Sequence, residues 1–262
     1  MSILDVHVKE LPAAQNSIDL FAGQWSSILP STSGLVAAPG TAALFDDGRL
    51  DWAIKLFGGV DGLDILELGP LEAGHTYMLH QAGAKAITAI ESNSRAFLKC
   101  LCIKEVFGLP RARFLLGDFI AYLRQRKHKF DLVVASGVLY HMTDPLELIE
   151  LMAAASDKVY IWTHYYDPSL IQNNPLQSKK FGRPHRIERK GVSYEVALQS
   201  YLDALKWNGF TGGGAETSLW LTRDSLLEAL RVVGFDEVTV AFEQPDHQHG
   251  PALALCARRS AA

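Results

Sequence analysis

The stretch from Asp64 to His75, DILELGPLEAGH, is an apolar run that ends in a glycine turn and opens a helical pattern. That order predicts a buried strand, a sharp turn at Gly69 and a helix amino terminus. Free backbone N–H groups in such a turn face a carboxylate or a ribose. A dinucleotide-binding turn needs a small residue at position 71, where the backbone meets the pyrophosphate, and this chain has Leu71. A ligand without a diphosphate, such as S-adenosylmethionine, fits the turn better. Glu67 lies on the strand side shared with Gly69. Pro70, Leu71 and His75 complete this first set of candidate cofactor contacts.

Three further apolar runs end in residues able to bind or react. Glu91 closes AITAIE, a strand and a helix further on, with Ser92 beside it. A carboxylate there accepts from both hydroxyls of a ribose. Gly117-Asp118-Phe119 closes the next run. Asp118 offers an acceptor to the exocyclic amine of adenine and Phe119 an apolar face for its ring. After a fourth run come Ser136, Gly137, Val138, Tyr140 and His141. Tyr140 and His141 are candidates to orient or deprotonate a nucleophile, histidine being near neutrality in pKa. The alternative is that they pack the turn and position the cofactor. Each acid alone also reads as a helix cap. Convergence at the carboxyl ends of neighbouring strands, where open α/β sheets bind ligands, favours the functional reading.

The elements that position these residues follow from the pattern. Residues 1–47, with Pro12, Pro30 and Pro39, read as an N-terminal cap of short elements, in which Phe21 and Trp25 fill a core. Asp47 caps a helix carrying Leu50, Ile54 and Phe57. Strands are expected at 64–68, 86–91, 113–117, 130–135 and 158–163. Helices are expected from about Gly74 to Gln81, from Asn93 to Gly108, after Asp118, and from Asp144-Pro145. The alternation predicts an α/β fold whose parallel sheet is covered on both faces, with 48–163 as the cofactor-binding core. It breaks at His164. Residues 164–221 are expected to form an inserted substrate lid, with one helix from Ser193 to about Trp207 and a triple glycine at 212–214. Residues 222–262 return to the core. A helix capped by Thr222 is followed by strands at 235–242 and 252–257, an antiparallel hairpin at the sheet edge.

The segments quoted above resemble the class I S-adenosylmethionine-dependent methyltransferases. They look closest to the branch that includes the tRNA wobble-uridine carboxymethyltransferases. The glycine turn followed by His75, the Glu91 segment through Gly108, and Gly137 to His141 carry the resemblance, which covers roughly 64–165 with a weaker match at 222–258. It implies a Rossmann-like, mostly parallel seven-stranded sheet with the last strand antiparallel. It also implies that Glu67 and Gly69 flank the methionine part of the cofactor, Glu91 holds the ribose, Asp118 the adenine amine, and Ser136 to Val138 the methionine side. The family's turn usually carries glycines where this chain has Leu71 and Ala73, and its second-strand acid is commonly aspartate.

Weaker signals bound the substrate. The run from Lys179 to Lys190 is the one basic cluster, and Lys179, Arg183 and Arg186 are candidates to clamp an anionic substrate; a solvated surface hairpin is the alternative. His164 and Tyr165 border the expected substrate space. Asp246-His-Gln-His249 lies in a loop expected to be remote from the strand ends and lacks further ligands, so no metal is expected. A formal net charge of −4 does not advertise a nucleic-acid or anionic-membrane partner. Three cysteines without framework spacing suggest reduced thiols and a cytoplasmic protein. The amino terminus has no secretory pattern, and no apolar stretch is long enough to span a bilayer. The expected function is methyl transfer from S-adenosylmethionine to an oxygen, nitrogen or carbon nucleophile of a small molecule. The alternatives are a tRNA-modifying methyl- or carboxymethyltransferase, or a binding module that keeps the crevice without the chemistry. A nicotinamide oxidoreductase is opposed by Leu71.

Overall fold

The computed structural model describes residues 7–125, 128–207 and 209–260. The expectation of no secretory leader at residues 1–6 lies outside them. After α1 (Ala14–Asp19) and α2 (Gly48–Leu56), strand and helix alternate. The order is β1 (Asp64–Leu68), α3 (Gly74–Gln81), β2 (Ala86–Glu91), α4 (Ser94–Phe107), β3 (Ala112–Leu116), α5 (Phe119–Gln125), β4 (Leu132–Ser136), α6 (Pro145–Ala155) and β5 (Lys158–His164). The expected caps start these helices. Asp47 accepts from Arg49 N at 2.9 Å, Asn93 from Arg95 N and Ala96 N at 3.0 Å, and Asp144 from Glu147 N at 3.0 Å, with Pro145 in the first turn.

Residues 165–222 then hold α7 (Pro168–Gln172), α8 (Pro175–Ser178) and three strands, β6 (His185–Arg189), β7 (Val192–Ser200) and β8 (Thr217–Leu221). α9 (Arg223–Val232), β9 (Glu237–Gln244) and β10 (Ala252–Arg258) close the chain.

Among the described residues, seven strands form one sheet in the order β3-β2-β1-β4-β5-β10-β9. β1 to β5 are parallel, and β10 is antiparallel to both of its neighbours. Helices cover both faces. Leu148, Ile149 and Met152 of α6 pack with Leu226 and Leu230 of α9 on one face, and Leu50 of α2 with Leu79 of α3 on the other. Phe21 and Trp25 are buried beside Cys100 and Ile103 of α4, and Trp25 Nε1 donates to Ile18 O at 2.9 Å. Among the described residues, no helix is long and apolar enough to cross a membrane.

Two expectations are corrected. The stretch from Ser193 to Trp207 is not a helix: β7 pairs antiparallel with β6 and β8, and a 3₁₀ turn follows at Leu202–Lys206. Val192, Tyr194, Val196 and Leu198 recur every second residue, and Lys190-Gly191 forms a two-residue turn with both φ positive (+52° and +75°). That turn matches strand twist and sets the hairpin register. The carboxyl-terminal strands form the antiparallel hairpin expected at the sheet edge, with β9 outermost and β10, buried over Ala252–Ala257, between β5 and β9. β9 therefore runs parallel to β5, and the loop after it sits at the same end of the sheet as the turns that follow β1 to β5. The His247 ring is 4.9 Å from that of His164 and 6.0 Å from Trp162, so the DHQH loop is not remote from the strand ends. Among the described residues no group of three or more His, Cys, Asp or Glu is placed to hold a metal.

Candidate functional site

A cavity of about 540 Å³ opens at the carboxyl ends of β3, β2, β1, β4 and β5, within the size range of small-molecule and cofactor sites. The sheet order lays the sequence-derived residues across it in a line. Asp118 and Phe119 follow β3, Glu91 and Ser92 end β2, Gly69 to Leu71 and His75 follow β1, and Ser136 to Val138, Tyr140 and His141 follow β4.

The turn after β1 is tightly held. Gly69 has φ +63°, and a Cβ there would lie 2.6 Å from Val138 Cγ1, so the β1 and β4 turns meet only because this residue is glycine. Leu71 (φ +53°) and Ala73 (φ +62°) take the left-handed conformation that glycine usually supplies, at a cost of roughly 1–2 kcal/mol each. Their neighbours enforce it. Glu72, fully buried between them, pairs with Lys99 Nζ at 2.7 Å and accepts from Ser26 N and Ser27 N at 3.0 and 2.8 Å. The Leu71 N–H donates to Glu91 Oε2 at 3.1 Å. No side chain caps α3, and His75 at its first turn lines the cavity.

Glu91 also accepts from Asn93 N at 2.8 Å. Burial pushes its pKa up, and these backbone donors limit the rise. Asp118 caps α5 through Ile120 N at 2.7 Å while lining the cavity, so its two readings coexist. Glu67 does not line the cavity. It is 2% exposed and accepts from the Thr76 hydroxyl, and burial raises its pKa.

Tyr140 and His141 sit on a 3₁₀ turn, Leu139–His141, and line the opposite wall. Burial raises the Tyr140 pKa well above the usual phenol value, so it stays protonated at neutral pH and acts as a donor or an apolar wall. Burial and nearby His164 push His141 down to about 3, which keeps its imidazole neutral. His141 Nδ1 is 2.6 Å from the Tyr201 hydroxyl, leaving Nε2 for a ligand. Gly212 presses on this ring: a Cβ there would lie 2.5 Å from His141 Nδ1.

Several lining residues escaped the sequence analysis, among them Arg49, Trp162, Met142, Thr143 and Thr211 to Ala215. Arg49 follows the cap residue Asp47 by two positions. Its Nε and Nη2 bond the Asp47 carboxylate at 2.9 and 2.6 Å, and its guanidinium lies 4.6 Å from the Trp162 ring centroid. His75 Nε2 is 2.9 Å from Asp47 Oδ2, the oxygen that Arg49 Nη2 also binds. Burial alone raises the Asp47 pKa, but hydrogen bonds with His75 and Arg49 outweigh it and hold the carboxyl well below its usual range. The signal for the Thr211–Ala215 arm was its triple glycine; Trp162 was visible only as a strand residue.

The candidate substrate residues lie elsewhere. His164 is buried behind Tyr140, stacked on Trp220 at 5.1 Å, with Nδ1 donating to Gly250 O at 2.8 Å. Tyr165 is buried in the core with its hydroxyl 3.2 Å from Glu243. Lys179, Arg183 and Arg186 are exposed and do not line the cavity. Arg186 borders a separate hollow with Asp167, Glu195 and Asp224. The basic run is an outer hairpin strand, and its Arg189 is tied to Asp144 and Glu150.

The sheet order, the inserted antiparallel last strand and the line of turns define the fold of the S-adenosylmethionine-dependent methyltransferases. Solved structures share it. The N-terminal domain of EvdMO1, determined with S-adenosylhomocysteine and D-fucose, matches with a TM-score of 0.67 and 22% identity, over 94% of this chain and 95% of that one. The magnesium protoporphyrin IX methyltransferase of Synechocystis PCC 6803 with bound S-adenosylhomocysteine matches with a TM-score of 0.53 and 16% identity, over 80% of each chain. In sequence, 91 residues are 33% identical to the tRNA U34 carboxymethyltransferase of Cellvibrio japonicus strain Ueda107; they make up 34% of this chain and 28% of that protein. No family model matches the chain.

Proposed function

We propose that the chain is an S-adenosylmethionine-dependent methyltransferase acting on a small molecule. The observation that carries this is the line of ligand groups across one cavity, from Asp118 through Glu91 and Gly69 to Ser136, in a fold whose solved neighbours hold S-adenosylhomocysteine. The cavity fits the cofactor. The Gly69 turn leaves no room for a side chain, Glu91 keeps lone pairs for ribose hydroxyls, and Asp118 and Phe119 suit adenine.

When bound, the cofactor supplies an electrophilic methyl group on a sulfonium. The chain supplies alignment and exclusion of water. Tyr140, His141, Thr143 and Trp162 wall the acceptor side, and the Thr211–Ala215 arm of the 164–221 lid covers it. His141 stays neutral at working pH and is too weak a base to carry a proton, so its role here is to orient a hydroxyl or N–H acceptor through a hydrogen bond at Nε2. A saturating dose of S-adenosylhomocysteine at about 100 times its Kd should add roughly 2.7 kcal/mol of stability and raise the melting temperature. A shift with a nicotinamide cofactor and none with millimolar S-adenosylhomocysteine refutes the proposal.

A second reading, a tRNA-modifying enzyme, rests on the 91-residue match to the carboxymethyltransferase. Charge opposes it: the basic run does not reach the cavity, and the net charge is −4. Among the described residues the cavity lining also offers a single Lys or Arg, whereas a carboxymethylated cofactor carries a second carboxylate. Binding to bulk tRNA that weakens steeply with salt would favour this reading.

A further inference from the structure

We infer that the inserted sheet decides which ring nitrogen of His141 carries the proton. A chain of hydrogen bonds from Gln199 through Ser218 and Tyr201 keeps it on Nδ1, so Nε2 presents a lone pair to the cavity and selects an uncharged acceptor that donates a hydroxyl or N–H. The inference rests on the methyltransferase reading above and names the chemistry of its acceptor.

The chain is readable from its far end. Gln199 on β7 and Ser218 on β8 are register partners, 7% and 0% exposed. Gln199 Nε2 donates to Ser200 O at 3.1 Å, which orients the amide and leaves Oε1 as the acceptor facing Ser218. The Ser218 hydroxyl donates to that oxygen at 3.0 Å, so its one proton is committed. Tyr201, the residue after β7, is buried, and its hydroxyl meets the Ser218 side chain on one side and His141 Nδ1, at 2.6 Å, on the other. If Tyr201 gave its proton to His141, its oxygen and Ser218 Oγ would face each other with no proton between them. Donation from Tyr201 to Ser218 removes that conflict, and the Nδ1–H of His141 then donates to Tyr201. Every donor in the chain has an acceptor, and hydrogen bonds aligned in one direction reinforce one another. In a neutral imidazole the bond made by one nitrogen sets the state of the other.

The wall around His141 agrees. The turn after β4 and the 211–215 arm contribute Tyr140, His141, Met142, Thr143 and the residues from Thr211 to Ala215, and among these described residues there is no Asp, Glu, Lys or Arg. A carboxylate placed there would meet the Nε2 lone pair with no cation on the wall to offset it, and an ammonium would meet no carboxylate. Burying either charge without a partner is costly. A neutral hydroxyl or N–H supplies the one donor that Nε2 lacks. The ring itself is held in place: Phe210 packs edge-on to Tyr201 with centroids 4.8 Å apart, and Tyr140 lies against His141 at 4.1 Å. A histidine that only filled the turn would need neither a chain of three polar partners from another sheet nor an open nitrogen in the cavity.

The test is nitrogen-15 NMR of the full chain labelled in its histidine rings, at neutral pH, with and without saturating S-adenosylhomocysteine. Long-range proton–nitrogen correlations read which ring nitrogen is protonated, and the signals lost in His141→Gln identify the ring. Wild type should carry the proton on Nδ1, with Nε2 bare, by roughly tenfold or more over the other tautomer. Ser218→Ala removes the oxygen that takes the Tyr201 proton and should move the His141 proton to Nε2. Tyr201→Phe removes the partner of Nδ1 and should give a mixture of the two tautomers; it stands in if Ser218→Ala does not fold. A proton on Nε2 in wild type, or a tautomer that a folded variant leaves unchanged, would overturn the inference while the cofactor reading stands. A chain that binds no S-adenosylhomocysteine would sink the cofactor reading and the acceptor role of His141 with it.

Discussion

Glu91 joins two elements and lines the cavity at once. One carboxylate oxygen holds the Leu71 N–H and the other the Asn93 N–H, so the turn after β1 and the start of α4 are referenced to a single side chain. Glu91→Gln keeps one acceptor but loses the charge and places an NH₂ against a backbone donor. The expected result is a loss of about 10- to 30-fold in S-adenosylhomocysteine affinity by calorimetry, because charge-assisted hydrogen bonds contribute roughly 1.5–3 kcal/mol. The melting temperature of the ligand-free variant should also fall, since one of the two backbone donors loses its acceptor, an effect of roughly 1–3 kcal/mol. Unchanged affinity would mean that Glu91 serves the loop alone.

At the scale of elements, the odd backbone of the turn is held by a buried ion pair. Lys99 on α4 neutralises Glu72 between two left-handed residues. Lys99→Met should destabilise the chain by about 3–5 kcal/mol in urea unfolding, because it strands a buried carboxylate. The double variant Glu72→Gln with Lys99→Met should recover part of that loss. Additive losses would show that the two residues do not share one interaction. Legibility in the sequence divided along similar lines. The β1 turn, Glu91, Asp118 and the Tyr140-His141 turn are readable because each follows a short apolar run that forms a strand. The stretch after Ser193 is ambiguous because Val196, Leu198, Tyr201, Leu202 and Leu205 suggest a helical period, whereas Val192, Tyr194, Val196 and Leu198 alternate, and the Lys190-Gly191 turn favours the strand. Arg49 and the 211–215 arm reach the cavity through tertiary packing, which no local pattern records. Glu67 sits on the expected strand face but is taken up by Thr76.

For the molecule as a whole, buried histidines set an acid limit. Burial and neighbouring His247 hold His164 at about 4. An unfolded chain takes up that proton as pH falls through about 6.5, whereas the folded one does so only near 4. Its contribution is therefore complete above about pH 6.5 and is lost progressively below, by on the order of 2 kcal/mol at pH 5. His141 acts in the same direction. Glu67 and Glu91 act oppositely, since their raised pKa values make the fold most favourable at low pH and less so as they ionise. Comparing variants isolates the histidine: urea midpoints at pH 7.5 and 5 should differ less for His164→Gln than for wild type, and equal differences would remove His164 as the cause.

The Glu72 carboxylate draws its backbone donors from Ser26 and Ser27, and Trp25 packs beside the same helix that brings Lys99. The first forty-odd residues are thus not a detachable accessory. A shortened fragment starting at β1 would leave the Glu72 carboxylate to Lys99 alone, without the Ser26 and Ser27 donors, so trimming the amino-terminal side loosens the turn after β1.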